Sequence, residues 1–155
     1  MPKLSWIALP VAALAGPVAA GDINDCPVRP ATICIEFNLK AAQLAQADLN
    51  RADLSRSNLT GANLEGANLF HARLSRTDLD EADLRGANLG QADLSGASLN
   101  RARIDGARLA DANLHRADLK EATLTGARMR GANLSGATMP SARLDDASLR
   151  HADLR

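Results

Sequence analysis

The sequence predicts an all-β solenoid in which the chain turns a corner once every five residues. Two observations lead to this fold class. A leucine-centred unit of five residues repeats without interruption from Leu39 to Leu154, and a typical copy reads Ala-Asn-Leu-Glu-Gly over residues 62–66. In addition, neither a helix nor a flat strand can bury leucines at this spacing. A short, exact internal period of this kind indicates a repeat architecture.

The five-residue period excludes the ordinary secondary structures. A helix turns about 100° per residue, so leucines five apart would advance about 140° each time and leave no apolar stripe. A flat strand would place successive leucines on opposite faces, because the period is odd. A coil that turns once per unit keeps every leucine inside. Four right-angle corners close a coil of about 20 residues, and the next coil stacks at about 4.8 Å.

From about Leu39 to Arg155 the chain resembles the pentapeptide-repeat proteins. The register Ala-(Asp/Asn)-Leu-x-x carries the resemblance, and the only non-leucine centres after Leu44 are Ile104, Met129 and Met139. The resemblance implies a right-handed quadrilateral β-helix, in which the central leucine and the alanine two before it point inward. It implies about six coils and a rod somewhat under 30 Å long. It implies no particular function, because proteins of this fold are functionally diverse.

The first 20 residues have the layout of a secretory signal peptide. Lys3 precedes an apolar run over residues 4–15, and the small residues 18–20 form a cleavage signature before Gly21. The run is too short for a membrane span and is broken by Pro10. We therefore expect an exported protein, periplasmic or secreted, with no stable membrane insertion after cleavage. The alternative is an N-terminal anchor that is not cleaved.

The charge balance limits the partners of the mature chain. Removing residues 1–20 takes away Lys3 and no acid, which leaves 17 basic residues against 18 acidic ones. A general nucleic-acid binder would carry a clear excess of lysine and arginine, so no nucleic-acid partner is expected. The same balance argues against a strongly acidic mimic of nucleic acid.

Residues 21–37 separate the signal peptide from the repeats over residues 38–155 and hold both cysteines, Cys26 and Cys34. Two cysteines in an exported chain suggest a disulfide that pins an N-terminal cap over the first coil. Closing this loop would stabilise the fold by roughly 2.5 kcal/mol. Cys34 also lies five residues before Leu39, so the alternative is a buried thiol that replaces a central leucine. The absence of a C-x-x-C spacing argues against redox catalysis.

Residues twenty apart should stack in columns along the rod. Three columns stand out: Glu65, Arg85 and Asp105; Glu81, Arg101 and Glu121; and the glycines Gly66, Gly86, Gly106 and Gly126. The two alternating columns predict salt-bridge ladders between coils, with each pair worth about 0.2–1 kcal/mol. We attribute the glycine column to close turns in which side chains would crowd. All three interpretations are structural rather than functional.

One side of the rod departs from this balance of charge. Arg108 and Arg128 precede their centres, and Arg130 and Arg150 follow theirs, all on the same side. Four guanidinium groups repel one another unless an anion meets them, so they are a candidate patch for an anionic partner. The alternative is a solvated face neutralised in part by Asp111 and salt. The same side carries Phe70 and His71, which we expect to be exposed and to hint at a contact surface.

The sequence gives no support for catalysis, a cofactor or a metal site. His71 and His151 share a column but lie about 19 Å apart, four coils at the sheet spacing, and His115 falls on another side. None has a cysteine or nucleophile partner at a useful spacing. The unbroken register leaves no inserted loop from which a cleft could be built. We expect a protein that is not an enzyme.

Two classes of function remain. The first is an exported scaffold or protein-interaction module with an unknown protein partner. The second follows from the resemblance, because some cytoplasmic pentapeptide-repeat proteins mimic duplex DNA and act on type II topoisomerases. The near-neutral charge, the arginines and the signal peptide favour the first class.

The last coil of the sequence predicts a homodimer. Its centres are apolar and no capping segment follows them in the sequence: Met139, Leu144, Leu149 and Leu154. Solenoid ends normally need a cap, because a bare end exposes the core and an unpaired backbone edge. Two such ends could meet around a two-fold axis. A bare end that frays is the alternative.

Overall fold

The computed structural model describes residues 22–155, so the predicted signal peptide lies outside the described residues. Residues twenty apart form parallel bridges from Ile33, which pairs with Asp53, to Asn133, which pairs with Asp153. The bridges fall into four columns, one for each side of a four-sided coil. We name the sides faces A, B, C and D in chain order. Each face comprises its bridge column and the two corner residues after each centre.

The four columns begin at Ile33 for face A, Asn38 for face B, Gln43 for face C and Asp48 for face D. Going round the coil, face D is therefore opposite face B. Backbone hydrogen bonds tie each coil to the next along every face. The amide of Leu94 donates to the carbonyl of Asn113 at 2.7 Å, and the amide of Asn113 donates back to the carbonyl of Ala92 at 2.9 Å. This reciprocal pattern satisfies the backbone without long strands.

The core is a column of central leucines lined by the alanines two residues before them. Leu94 and Ala97 are both fully buried, as the repeat predicts. Within residues 38–155, two polar residues replace alanine and are equally buried. Ser57 donates its hydroxyl to the carbonyl of Cys34 at 2.6 Å, and Thr77 donates to the carbonyl of Leu54 at 2.9 Å. Each hydroxyl thus has a partner inside the core, which removes the cost of burying it.

Each corner is a β-turn from a central residue to the next inward alanine. At one such corner the amide of Ala92 donates to the carbonyl of Leu89 at 3.1 Å. The third turn residue has positive φ at every corner, whether it is glycine or not, as at Arg101 (57°) and Gly106 (67°). This is the geometry of a type II turn, which glycine adopts without strain.

The predicted reason for the glycine column is wrong. A Cβ added at Gly86, Gly106 or Gly126 would meet nothing within 4 Å, so side chains would not crowd there. Gly66 differs, because a Cβ would overlap the flexible side chain of Gln46. Positive φ is the requirement that all four positions share.

A short hairpin covers the first coil. Strand β1 (Asp22–Ile23) pairs antiparallel with strand β2 (Cys26–Pro27), and the turn residues Asn24 and Asp25 both have positive φ. Positive φ at both central residues is typical of a type I′ turn, which matches the twist of a hairpin. The side-chain amide of Asn24 donates to the carbonyl of Asn38 at 2.7 Å. The hairpin thereby caps a backbone group of the first coil.

A disulfide joins the hairpin to the coil. Cys26 and Cys34 are bonded, with Cα atoms 5.6 Å apart, and both are buried. The amide of Cys34 donates to the carbonyl of Asp53 at 2.8 Å, the bond that a central leucine makes elsewhere. Cys34 therefore combines the two roles that the sequence left as alternatives: it occupies a central position and holds the cap.

Coil geometry begins before the boundary that the sequence placed at residue 38. The amide of Ala31 donates to the carbonyl of Asn50 at 2.7 Å, and Ile33 bridges to Asp53. The difference has a simple cause, since Cys34 stands where the repeat pattern has leucine. At the other end, the side chains of Met139, Leu144 and Leu149 are half-buried against the core, and Leu154 is 56% exposed.

Candidate functional site

The four arginines predicted as a patch lie together on face D. Arg108 and Arg128 are bridge partners in neighbouring coils, and Arg130 and Arg150 are stacked in the corner column that follows. All four side chains belong to exposed residues. Because neighbouring coils repeat at about 4.8 Å, the backbones of Arg108 and Arg128, and likewise those of Arg130 and Arg150, lie about that far apart.

Within residues 22–155, face D has no ion pair at all, whereas every other face has several. The paired arginines are distributed over faces A, B and C: Arg56, Arg73, Arg85, Arg101, Arg103, Arg143 and Arg155. The two acids of face D, Asp48 and Asp111, are more than 4 Å from any arginine or lysine nitrogen of the described chain. The arginines of the patch are thus cations without an ion-pair partner within 4 Å in the described chain.

The predicted ladder on face B forms as a three-residue column. Arg101 donates from Nε to a carboxylate oxygen of Glu121 at 2.9 Å and lies 3.9 Å from Glu81. The hydrogen bond to Glu121 raises the pKa of Arg101, and the same bond lowers the pKa of Glu121. Both groups are exposed, so the ladder orders the surface more than it stabilises the fold.

The predicted ladder on face C forms only in part. Arg85 pairs with Glu65 at 3.1 Å and with Asp83, its neighbour in the same coil, at 2.7 Å. Hydrogen bonds from the Arg85 side chain lower the pKa of Asp83. Asp105 instead accepts hydrogen bonds from the hydroxyl of Thr123 at 2.6 Å and the amide of Thr125 at 3.0 Å. The column therefore ends at Arg85, because polar neighbours in the next coil satisfy Asp105.

The expectation that Phe70 is exposed is wrong. Phe70 is partly buried and its ring lies against Gly90, the residue stacked on it in the next coil. The imidazole of His71 meets the same ring edge-on, with the ring centroids 4.3 Å apart. Sequence reasoning missed this contact, although one signal was available: Gly90 is the only glycine of the described repeats that does not occupy a positive-φ corner.

No catalytic arrangement is built from the histidines. The Nδ1 atom of His115 lies 2.8 Å from the hydroxyl of Ser135, but that hydroxyl donates its own proton to the side chain of Asn133 at 2.7 Å. Ser135 is therefore not poised for attack with His115 as its base. Residues 22–155 contain no group of three or more side chains suited to holding a metal ion. Nor does this part of the chain include a helix long and apolar enough to cross a bilayer.

A shallow, open cleft of about 310 Å³ lies on face B, between neighbouring coils. Its lining is mostly charged: Asp80, Glu81, Asn100, Arg101, Asp118, Lys120 and Glu121. The hydroxyl of Ser98 donates to Asp80 at 2.6 Å and accepts from the side-chain Nδ2 of Asn100 at 2.8 Å. These bonds leave the buried Oδ1 of Asn100 without a partner. Since that atom is buried, it contributes nothing to the cleft.

The fold and sequence of the chain are similar to those of known proteins. HetL from Nostoc sp. strain PCC 7120, involved in heterocyst differentiation regulation, is 25% identical with a TM-score of 0.59, covering 81% of this chain and 88% of HetL. A pentapeptide repeat protein from the Arabidopsis thaliana thylakoid lumen is 30% identical with a TM-score of 0.58, covering 59% and 64%. Rfr23 from Cyanothece 51142 is 28% identical with a TM-score of 0.51, covering 75% and 90%.

No functionally curated protein matches the chain. The family model described as pentapeptide repeats matches residues 38–76, 77–116 and 117–155, which together are most of the chain. These are the same residues whose leucines and alanines form the core. The chain therefore belongs to the pentapeptide repeat family.

Proposed function

We propose that this protein is an exported, non-enzymatic interaction module that binds an anionic partner through face D. One observation carries the proposal: the arginines of face D form no ion pair within 4 Å inside the described chain, although many arginines of the other faces do. Placing like charges side by side costs free energy that only a ligand or salt can offset. The side chains involved are Arg108, Arg128, Arg130 and Arg150.

Arginine suits this role because its planar guanidinium binds carboxylate and phosphate oxygens through paired hydrogen bonds. A solenoid face holds the backbones of these arginines at fixed intervals, so a partner has to order their side chains but not the chain that carries them. Phe70 does not extend the surface, since its ring is engaged with Gly90. The binding surface is therefore electrostatic rather than apolar.

Export is supported by the signal-like layout of residues 1–20. A similar structure from the thylakoid lumen indicates that the fold also serves in compartments outside the cytoplasm. The disulfide of the cap would suit an oxidising compartment. We place the protein in the periplasm or the extracellular medium.

Cell fractionation tests the proposal. The full-length chain with a C-terminal tag is expected in the periplasmic or secreted fraction with Gly21 at its N-terminus, as read by mass spectrometry. The matched control lacks residues 2–20 and should remain in the cytoplasm. Recovery of the uncleaved full-length chain from the cytoplasm would contradict export.

The same material tests the binding surface. Partners are cross-linked in cells to the wild type and to a variant with alanine at Arg108, Arg128, Arg130 and Arg150. The control variant has alanine at four arginines that are paired on other faces: Arg56, Arg73, Arg101 and Arg143. Loss of the cross-linked partner only from the face D variant supports the proposal, and equal cross-linking by all three proteins contradicts it.

Binding of a type II topoisomerase as a DNA mimic is the less favoured alternative. It requires a cytoplasmic protein with a strongly acidic surface, whereas face D carries five arginines and two aspartates. The fractionation experiment separates the two functions, because a mimic of DNA has to be found with the enzyme in the cytoplasm.

We further propose that two copies associate through the coil over residues 137–155. The half-buried Met139, Leu144 and Leu149 and the exposed Leu154 give this coil an apolar cross-section. In addition, the backbone amides of Leu144 and Leu149 donate to no backbone carbonyl within the described residues. A two-fold arrangement would cover the apolar surface and the unpaired backbone edge together.

A further inference from the structure

The total charge of the chain is near zero, but two opposite sides of the rod carry net charges of opposite sign. Face D has five arginines against two aspartates: Arg51, Arg108, Arg128, Arg130 and Arg150, with Asp48 and Asp111. Face B, on the opposite side, has five acids against three bases: Asp78, Asp80, Glu81, Asp118 and Glu121, with Lys40, Arg101 and Lys120. Face D therefore has a formal net charge of +3, and face B, on the opposite side of the rod, has one of −2. Whole-chain composition could not reveal this.

The acids of face B are also incompletely neutralised. Arg101 and Lys120 both pair with Glu121, and Arg101 also approaches Glu81. No arginine or lysine nitrogen of the described chain lies within 4 Å of Asp78, Asp80 or Asp118. These carboxylates accept hydrogen bonds from neighbouring amides and hydroxyls, such as the Thr138 hydroxyl that donates to Asp118 at 2.9 Å. They are half-buried carboxylates on the outer surface of face B that have no ion-pair partner within 4 Å.

The two faces match in spacing as well as in charge. Both are built from the same coil, so the columns of face B and the columns of face D repeat at the same interval of about 4.8 Å. An extended peptide would present alternate side chains at about 6.6 Å and would lose register with the arginines after one or two contacts. A second β-solenoid face keeps register over several coils. The anionic partner best matched to face D is another face of this kind.

We propose that face D binds face B of a second copy, so that rods pack side by side with the unpaired guanidinium groups against the unpaired carboxylates. This inference rests on the proposed function, because it names the anionic partner of the same arginine patch. The contact joins two different surfaces, so each rod can bind one neighbour through face D and another through face B. Association therefore extends into rows rather than closing as a pair.

Salt dependence of the molar mass is the first test. Purified residues 21–155 are studied by light scattering and sedimentation at about 0.02 M and about 0.5 M salt, where screening lengths differ several-fold. The variant Leu149→Arg is used throughout, so that the proposed end-to-end dimer does not contribute. We expect species larger than a monomer at low salt that dissociate at high salt. A monomer at both salt concentrations over a wide range of protein concentrations would overturn the proposal.

Charge exchange is the second test, and the fold offers residues for it. The bridge position already accommodates both signs, as with Asp53 and Arg73, so exchanging them should not disturb folding. Two double variants are made in the Leu149→Arg protein. Arg108→Asp with Arg128→Asp removes the positive charge of face D, and Asp78→Arg with Asp118→Arg removes the negative charge of face B. Each double variant alone should be monomeric at low salt. Circular dichroism is used to verify that both remain folded.

A matched control makes the same change of net charge elsewhere. Arg103→Asp with Arg143→Asp alters two bridge positions on face C and leaves faces B and D intact. This variant should still associate at low salt. If it is as monomeric as the face D variant, net charge rather than face D governs association and the proposal fails.

Mixing the two exchanged variants gives the decisive result. The first keeps its acidic face and the second keeps its basic face, so the two variants should associate with each other although neither associates alone. If the Leu149→Arg protein is monomeric at low salt and instead binds a soluble polyanion such as polyphosphate through face D, the partner is a polyanion and the inference is wrong. That outcome would leave the proposed export and anionic binding intact, because fractionation and cross-linking test those independently.

Discussion

Phe70 lies over Gly90 of the next coil, and a Cβ at Gly90 would be 3.0 Å from Cδ2 of the ring. The glycine is buried although it occupies an outward corner position, because the ring covers it. The imidazole of His71 contacts the same ring edge-on.

We expect Gly90→Ala to lower the free energy of unfolding by about 1 kcal/mol, because the ring has to move outward to make room. In the background of Phe70→Ala the same substitution should cost nothing or stabilise slightly, since alanine restricts the unfolded chain. Urea unfolding of the four proteins in this cycle gives the coupling. Additive effects would mean that the ring does not occupy this position.

The assignment of inward and outward positions in each five-residue unit can be tested by stability measurements. Leu94→Asp should destabilise the domain by more than about 4 kcal/mol, because it places an unpaired charge in a core column. The same change at the neighbouring outward residue, Ser95→Asp, should alter stability by less than about 0.5 kcal/mol. Circular dichroism melting curves compare the two. Equal stability of the two variants would refute the assignment of inward positions.

The cap can be tested through its disulfide. We expect non-reduced mature protein to have a mass two hydrogens below that of the reduced chain, which shows Cys26 bonded to Cys34. Reduction should lower stability by roughly 2.5 kcal/mol and release the hairpin before the distant coils. Hydrogen exchange locates the loss, with the coil over residues 94–113 as an internal control. Two free thiols in folded, oxidised protein would exclude the bond.

Acid should weaken the fold through Asp83. The hydrogen bonds from Arg85 lower the pKa of Asp83 in the folded protein. At pH values above 3.8, the ordinary pKa of this carboxyl group, the ionised form therefore stabilises the native state. That contribution is lost as the pH falls through the lowered folded pKa. We expect Arg85→Gln to be less stable than wild type at pH 7 and the difference to shrink below pH of about 3.8. A difference that stays constant across this range would show that the Arg85 pair is not the cause.

The end-to-end dimer predicts a mass that salt does not reduce. At high salt, where the charged faces are screened, wild type should remain dimeric and Leu149→Arg should be monomeric. Arg108→Ala lies on the flank of the rod and should leave this dimer unchanged. Light scattering across a concentration series measures all three. A monomeric wild type at the highest concentration rules out association through this coil.

The core of the repeats from Leu39 to Leu134 could be predicted from the sequence, because inward leucine and alanine positions follow directly from the five-residue period, whereas the cap residues Cys26 and Val28 that complete the core could not. The start of the coil could not, because Cys34 takes the central position and Ile33 and Ile35 stand where the repeats are usually polar. Arg101 and Glu121 were paired correctly by counting twenty residues. The predicted ion pair between Arg85 and Asp105 does not form, because the hydroxyl of Thr123 donates to Asp105. The spacing of charged residues alone does not reveal such neutral hydrogen-bond donors.

The four-sided geometry also constrains how this gene could change length. A deletion of residues 87–91 removes one complete unit and leaves every downstream leucine inward, so the fold should survive. Yet the deletion rotates all that follows by a quarter turn, and Arg108 would then occupy face C, while a five-residue insertion would carry it to face A. Only changes in multiples of twenty residues keep the sides of the rod aligned along its length. Selection on a continuous binding surface should therefore be visible as indels of whole coils among its relatives.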